Sequence, residues 1–262
     1  MPGKQLNWNY GLTHNLFHSV WQSIIPTAKN KMKIIKNEKL ISRNGKIGQW
    51  TSIGALAVLG LGMYISFTKP DLFTYSLVCL LIGFIMTQIG MYMGNRWGRS
   101  PRPDEKIDAG LKGLHSDFNM YHYSSPVSHL LVGPTGAWVL LPYHQRGKVE
   151  FRKNRWKMSG GGFMQTYMRI FGQEGIGRPD LDAENEVRTL IKFFTQKLDE
   201  GFVPEVRPIL LFTNDEVELD AGDSPIPAMK TKQLKEFMRQ GAKNRALTSD
   251  QIAKITSLFD QE

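Results

Sequence analysis

The 262-residue chain has a single cysteine and two long stretches without a charged residue. Because Cys79 lies inside one of these stretches and has no second cysteine to pair with, internal disulfides do not hold the fold. The sequence also lacks a Gly-x-Ser-x-Gly elbow and any cluster of Cys and His at metal-ligand spacing. It therefore gives no support to a disulfide-stapled fold, a serine hydrolase or a structural zinc site.

The two uncharged stretches have the length of membrane spans. Residues 47–68 give 22 uncharged positions and residues 72–94 give 23, with Lys69, Pro70 and Asp71 between them. A helix needs about 20 apolar residues to cross a bilayer. We predict a transmembrane helical hairpin over residues 47–95, and the alternative is a buried helix pair in a soluble protein.

Acidic residues are scarce in the first hundred positions. Of the net formal charge of +9, residues 1–50 carry +7 and residues 51–100 carry +2, whereas residues 101–262 are neutral overall. The cations flank both spans, and only Lys69 lies in the turn between them. The positive-inside rule therefore predicts a multi-pass protein of the cell membrane, with both termini and the domain at 101–262 in the cytoplasm.

Residues 1–46 form a basic arm before the first span. Apolar side chains at helical spacing over residues 16–25 are typical of an amphipathic helix at a bilayer interface, and the lysines that follow would contact anionic membrane lipid. The alternative is an arm that only signals topology. His14 and His18 are four residues apart, but they have too few neighbouring ligands for a metal site.

The pattern of residues 101–262 predicts a mixed α/β sandwich. Short apolar runs bounded by glycine and proline favour buried strands, and apolar stripes at helical spacing favour helices. The glycines at 160–162 open a loop that lacks the other residues of a phosphate-binding motif. The predicted helices are 108–114, 179–198, 231–240 and 248–259, and the predicted strands are 118–123, 127–132, 137–141, 148–151, 156–158, 206–212 and 217–219.

The segment 126–147, PVSHLLVGPTGAWVLLPYHQRG, reads as a strand, a tight turn and a second strand. It resembles the core of the nuclease-related domain (NERD) family, which is similar to PD-(D/E)xK nucleases, and His129, Gly136 and Gly147 match the family's pattern. The resemblance covers about residues 108–259. It implies a restriction-endonuclease-like mixed sheet flanked by helices, here preceded by a two-helix transmembrane hairpin.

The positions of the family's catalytic residues hold other residues in this chain. Ser128 stands at the aspartate position, and Leu141, Pro142 and Tyr143 stand at the Glu-x-Lys positions. Asp182 roughly replaces a glutamine that is typical of the following helix. Mg²⁺ requires hard oxygen ligands, which neither a leucine nor a neutral hydroxyl supplies well. The resemblance therefore implies a catalytically inactive pseudo-nuclease that acts as a binding or assembly module.

One alternative is a metal-dependent nuclease whose active-site residues have moved. Asp108 and Glu150 would then hold Mg²⁺, with Lys148 as the assisting cation. Glu184 and Glu186, on the predicted helix at 179–198, are further carboxylates near the motif. The opposing interpretation is that all these residues are ordinary surface charges.

A second alternative is a structural membrane protein that forms a homodimer through its hairpin. Gly90 and Gly94 form a Gly-x-x-x-Gly motif, which lets two helices approach closely. The same glycines would equally serve packing between the two helices of one hairpin.

A run of cations surrounds one tryptophan after the motif. Basic side chains next to an aromatic ring can hold a phosphate backbone and stack on a base, so this run is a candidate nucleic-acid contact. A solvated hairpin, or one that leans on the membrane, explains the same residues, so lipid, nucleic acid and protein all remain candidate partners. The residues are Arg146, Lys148, Arg152, Lys153, Arg155, Trp156 and Lys157.

Overall fold

The structure is a computed structural model that describes residues 31–159, 175–198 and 201–260. The predicted amphipathic helix at 16–25, the histidines His14 and His18, and the glycines at 160–162 lie outside these ranges.

Two long helices follow each other near the start of the described chain. Helix α1 (Glu38–Thr68) leads through a short turn (Pro70–Leu72) into helix α2 (Phe73–Met93). Helix α1 begins before the predicted span at 47–68, because the side chain of Asn37 accepts the Leu40 N–H at 2.9 Å and caps the helix. Both helices are long and apolar enough to cross a membrane.

The apolar surface of these helices is mostly uncovered. Only 11 % of the most apolar window of each helix is buried, and Trp50, Leu56 and Phe67 are each more than 70 % exposed. A core helix pair of a soluble protein would be largely buried, so the described structure does not favour that alternative.

The two helices pack through small residues. A Cβ atom added at Gly90 would lie 2.4 Å from the Ser52 hydroxyl, and one added at Gly62 would lie 2.8 Å from the Cys79 Cβ. The buried Ser76 hydroxyl donates to the Gly62 carbonyl at 2.7 Å. Gly90 therefore serves packing within the hairpin.

The rest of the described chain is a mixed α/β fold, as the sequence predicted. The last turn of the hairpin widens into a π-helical turn (Gly94–Gly98) before the first helix of the α/β part. The helices are α3 (Pro103–Leu111), α4 (Pro179–Lys197), α5 (Thr231–Gly241) and α6 (Ser249–Ser257). The strands are β1 (Lys33–Lys36), β2 (Asn119–His122), β3 (His129–Gly133), β4 (Gly136–Tyr143), β5 (Gly147–Arg152), β6 (Arg155–Ser159), β7 (Val206–Phe212), β8 (Val217–Asp220) and β9 (Ala228–Lys230).

The main sheet has the order β1-β2-β3-β4-β7-β9. Strands β2, β3 and β4 are antiparallel neighbours, whereas β1 pairs with β2, β7 with β4 and β9 with β7 in parallel. Residues 33–36 were expected to belong to the basic arm, and neither β1 nor β9 was predicted from the sequence. In the structure β1 is an edge strand of the same sheet as the motif strands, so part of the arm belongs to the α/β fold.

Side chains that alternate along the strands build a core on each face of the main sheet. Leu190 and Phe194 of α4, with Phe259 just after α6, pack against one face. Ile107 of α3 and Leu234 of α5 pack against the other. The sheet is thus covered by helices on both sides, which is why its central strands read as continuous apolar runs.

A smaller sheet of order β6-β5-β8 lies beside the first core. Strands β5 and β6 are joined by Lys153 and Asn154, whose φ angles are 53° and 56°. Two such residues form the tight turn that matches the twist of a β-hairpin, and they lie between the predicted strands 148–151 and 156–158.

The base of the helical hairpin docks directly onto the main sheet. The Trp97 and Tyr123 rings lie 4.2 Å apart between centroids, and Ile41 packs with them in a buried cluster. The hairpin and the α/β fold therefore share a packed contact rather than only a linker.

We expect Gly90→Leu to destabilise the hairpin, because the new side chain has no space beside Ser52. Overpacking of this kind costs about 1–3 kcal/mol. The measurement is thermal unfolding of the full chain in detergent. Gly60→Leu is the matched control, since a Cβ atom at Gly60 meets nothing within 4 Å. Equal melting temperatures for the two variants would contradict the observed packing. If the chain forms a dimer that only Gly60→Leu disrupts, self-association occurs through the outer face of the hairpin.

Candidate functional site

A polar cleft of about 570 Å³ opens between the end of the helical hairpin and the main sheet. We call it the Arg96 cleft and define it by Arg96, Ser128, Tyr143, Asp182 and Glu186. These residues come from the hairpin end, the start of β3, the end of β4 and helix α4. Four separate parts of the chain therefore converge on one site.

The antiparallel pairing of β3 and β4 explains why the positions singled out by the resemblance meet here. Leu130 lies opposite Val139, so the start of β3 faces the end of β4. Ser128, Leu141 and Tyr143 consequently all line the Arg96 cleft. The positions that the resemblance assigns to catalytic residues are thus brought together, but they carry a hydroxyl, an aliphatic side chain and a phenol.

Arg96 supplies the cation at the centre of this cleft. Its guanidinium donates to the Ser128 hydroxyl at 2.7 Å and to the Tyr92 hydroxyl at 3.2 Å, and it lies 5.5 Å from the centre of the Trp97 ring. A guanidinium stays charged at any physiological pH. The side chain at the family's aspartate position is therefore bound to a permanent positive charge.

Two carboxylates of helix α4 line the same cleft. Burial raises the pKa of Glu186, against the opposing effects of the Ser128 N–H and the Arg96 charge. Asp182 accepts the Tyr143 hydroxyl at 3.2 Å, and burial together with this carboxylate raises the pKa of Tyr143. Asp182 and Glu186 are spaced i, i+4, so they share one face of the helix.

A buried polar chain runs behind the cleft, and we call it the Lys36 network. The Lys36 ammonium lies 3.0 Å from Asp104 and 2.6 Å from Asp108, and Asp108 lies 2.9 Å from His122 Nε2. His122 Nδ1 and His129 Nδ1 are 2.8 Å apart. The network therefore links β1 and α3 to the motif histidine, His129, which also lines the cleft.

The charges of the Lys36 network shift its pKa values. Burial alone would raise the pKa of Asp104, but the hydrogen bonds from Arg102 and Lys36 outweigh it and lower the pKa to about 2. Burial, the His122 charge and the Arg96 charge lower the pKa of His129 well below its ordinary value. His129 is therefore neutral at pH 7, and one of the two facing Nδ1 atoms donates to the other.

The structure separates the residues that the relocated-ligand hypothesis would bring together at one metal ion. Asp108 belongs to the Lys36 network, whereas Glu150 lies on β5 of the small sheet and pairs with Lys148 at 3.5 Å and Arg152 at 3.4 Å. Glu184, on α4, pairs with Arg188. Within residues 31–159, 175–198 and 201–260, no group of three His, Cys, Asp or Glu side chains fits a metal ion.

The basic residues that follow the motif lie on a surface that carries both positive and negative charges. Strand register puts Lys148, Arg152, Arg155 and Lys157 on the outer face of the small sheet. The same face carries Glu150, Glu218 and Asp220, and Arg152 lies 2.9 Å from Asp220. Arg146 lies 4.0 Å from Glu216, and Lys153 occupies the β5–β6 turn. Four carboxylates therefore lie beside the six cations of this run.

Trp156 corrects the prediction of a base-stacking aromatic. Its side chain is only 9 % exposed, and its ring packs 5.2 Å from Phe151 and 6.2 Å from Phe212 between centroids. Residues on a strand alternate between faces, so the cations at 155 and 157 point outward while the ring between them points into the core. Trp156 is a core residue.

Comparisons with known proteins add no relative. No family model matches the chain, and neither the curated proteins nor the solved structures contain a match. The site is therefore interpreted from its own geometry.

From the sequence, Arg96 was expected only to set membrane topology, and no role was predicted for Lys36 or His122 in a site. For His122 the sequence did hold a signal. The predicted strands at 118–123 and 127–132 flank a turn, and their antiparallel pairing would set His122 opposite His129. The observed register confirms that pairing. Lys36 and Arg96 carried no local signal, because their partners lie far along the chain.

We expect Asp104→Asn to weaken the fold at neutral pH and to flatten its acid dependence. The folded-state pKa of about 2 lies below the ordinary value of 3.8, so the carboxylate stabilises the fold fully above about pH 4. That stabilisation, about 2 kcal/mol, is lost as the pH falls toward 2. The measurement is the melting temperature of the full chain between pH 7 and pH 2, with the exposed Asp223→Asn as the control. Acid transitions that coincide for wild type and Asp104→Asn would refute the role of the network.

Proposed function

We propose that this chain is a membrane-anchored NERD-like pseudo-nuclease, whose α/β domain acts as a binding or assembly module on the cytoplasmic side of a cell membrane. The observation that carries the proposal is the Arg96–Ser128 bond of 2.7 Å inside the cleft where the motif positions meet. A permanent cation bound at the family's aspartate position repels Mg²⁺ instead of attracting it.

The order of the elements supports the resemblance to the NERD family. Helix α3, the antiparallel strands β2, β3 and β4, helix α4 and the parallel strand β7 follow one another as the resemblance implies. A restriction-endonuclease-like fold is the finer assignment that we propose from this order.

The exposed apolar surface of α1 and α2 supports the membrane anchor. Exposed hydrophobic side chains on this scale need a cover, and lipid is the cover that suits two helices of spanning length. The Lys36 network holds the start of α1 against the same domain that follows α2. Both ends of the hairpin therefore belong on one side of the bilayer, in agreement with the positive-inside rule.

We expect the full chain to cut neither DNA nor RNA in Mg²⁺ or Mn²⁺. The full chain is required, because a fragment that begins at residue 101 loses β1 and Lys36 from the sheet. Labelled single- and double-stranded substrates provide the measurement, with an active nuclease as the positive control. Metal-dependent cutting that Asp108→Asn or Glu150→Gln abolishes would establish the nuclease alternative and overturn the proposal.

We expect the turn between α1 and α2 to face the outside of the cell. In a Cys79→Ala background, Lys69→Cys should react with a membrane-impermeant maleimide on intact cells. Lys157→Cys, on the exposed face of the small sheet, should react only after permeabilisation. The reverse pattern would invert the orientation, and equal labelling of both positions in intact cells would contradict a spanning hairpin.

A further inference from the structure

Two buried side chains of the Arg96 cleft carry polar atoms that make no well-aligned hydrogen bond among the described residues. They are the Gln145 side-chain oxygen Oε1 and the Tyr123 hydroxyl, which interacts only with Arg96. Tyr123 is 9 % exposed and Gln145 is 6 % exposed. Buried polar groups are normally hydrogen-bonded, so two without a well-aligned bond in a single cleft indicate that a ligand supplies the missing bonds.

The basic part of the cleft lining is suited to an anion. Arg96 has five N–H donors. One donates to Ser128 and one to Tyr92, so further N–H groups are left for another acceptor. The Tyr123 hydroxyl lies close enough for the Arg96 charge to oppose the burial that raises its pKa to about 12. Lys106 of α3 also lines the cleft. A guanidinium beside a hydroxyl and an ammonium is a donor set that fits phosphate oxygens.

The acidic part of the cleft lining is suited to a cationic donor. Asp182 and Glu186 are acceptors, and the unpartnered atom of Gln145 is an acceptor too, since its Nε2 already donates to the Gly175 carbonyl at 3.1 Å. Burial raises the pKa of Glu186, so a bound cation would stabilise its ionised form. A primary ammonium offers three N–H donors to such a set.

We propose that the Arg96 cleft binds a phosphate ester that carries a primary ammonium group, as in an ethanolamine-type phospholipid headgroup or its free phosphate. The phosphate lies at Arg96 and Tyr123, and the ammonium lies at Glu186 and Asp182. The inference rests on the proposed function, because it takes the cleft as the binding site. Tyr92 and Asn95 at the end of the hairpin also line the cleft, so the cleft adjoins the part of the hairpin that lipid headgroups would surround.

The test is a calorimetric titration of the detergent-solubilised full chain with O-phosphoethanolamine. Inorganic phosphate, ethanolamine and glycine are the comparison ligands. We expect O-phosphoethanolamine to bind about tenfold or more tightly than any of them, because only it engages both parts of the cleft lining. The inference is overturned if it binds no better than phosphate.

A second arm distinguishes the source of the ligand. The chain is reconstituted in nanodiscs of phosphatidylethanolamine mixed with phosphatidylcholine, extracted, and analysed by native mass spectrometry for retained lipid. Selective retention of phosphatidylethanolamine supports the inference and identifies the lipid headgroup as the ligand. Binding of the soluble ester without lipid retention supports the inference and identifies a free phosphate ester as the ligand. The inference is overturned if neither ligand binds.

Tyr123→Phe separates a binding role from a structural one. It removes only a hydroxyl that makes no well-aligned hydrogen bond among the described residues, so we expect an unchanged or higher melting temperature without ligand. We also expect about tenfold weaker binding. Glu186→Gln should weaken O-phosphoethanolamine while sparing phosphate, and the exposed Lys157→Gln, outside the cleft, should change neither. A lower melting temperature with unchanged affinity in Tyr123→Phe would overturn the assignment.

Failure of this inference is distinguishable from failure of the proposed function. A chain that binds no ammonium phosphate and cuts no nucleic acid overturns the ligand alone. Metal-dependent cutting overturns the inactive module, whatever the cleft binds.

Discussion

The ion pairs of Lys36 tie together two parts of the chain that lie on either side of the helical hairpin. Lys36 ends β1 just before the hairpin, and its partners Asp104 and Asp108 lie on α3, just after it. Strand β1 also pairs in parallel with β2, so the chain leaves the main sheet, runs through α1 and α2, and returns to the same sheet. The hairpin is therefore an insertion within the α/β fold, and its two ends cannot separate without breaking the edge of the sheet.

This closure decides what reaches the Arg96 cleft. Because both hairpin ends are fixed, the turn after α2 is held against the sheet, with Trp97 packed on Tyr123 and Arg96 bound to Ser128. Arg96 comes from the end of the hairpin, whereas the acidic side chains Asp182 and Glu186 come from α4. A tilt of the hairpin would move one half of the site against the other. The helical hairpin and the cleft are thus joined by short, packed contacts rather than by a linker.

Much of the fold follows from the sequence. The parts that do not follow from it were missed for one common physical reason. Absence of charge predicted the two long helices, and short apolar runs bounded by glycine and proline predicted the central strands that helices cover on both faces. Strand β1 was missed because residues 33–36 form a short segment within a basic run, and their partner strand lies more than eighty positions away. Trp156 was misassigned although its alternation with Arg155 and Lys157 already indicated an inward ring. Contacts such as Arg96 with Ser128 depend on tertiary packing, which local patterns do not encode.

Several unfavourable features coincide at the cleft. Tyr123 has a φ of 57°, in the left-handed region that a non-glycine residue adopts at a cost, and its buried hydroxyl makes no well-aligned hydrogen bond among the described residues. His129 is held neutral beside it, and Glu186 is buried enough to raise its pKa. Each of these features costs stability, and they lie in front of the Lys36 network, which pairs its own buried charges closely. Strained backbone and buried, imperfectly bonded polar groups are typical of functional sites, which supports the proposal that this cleft is a binding site.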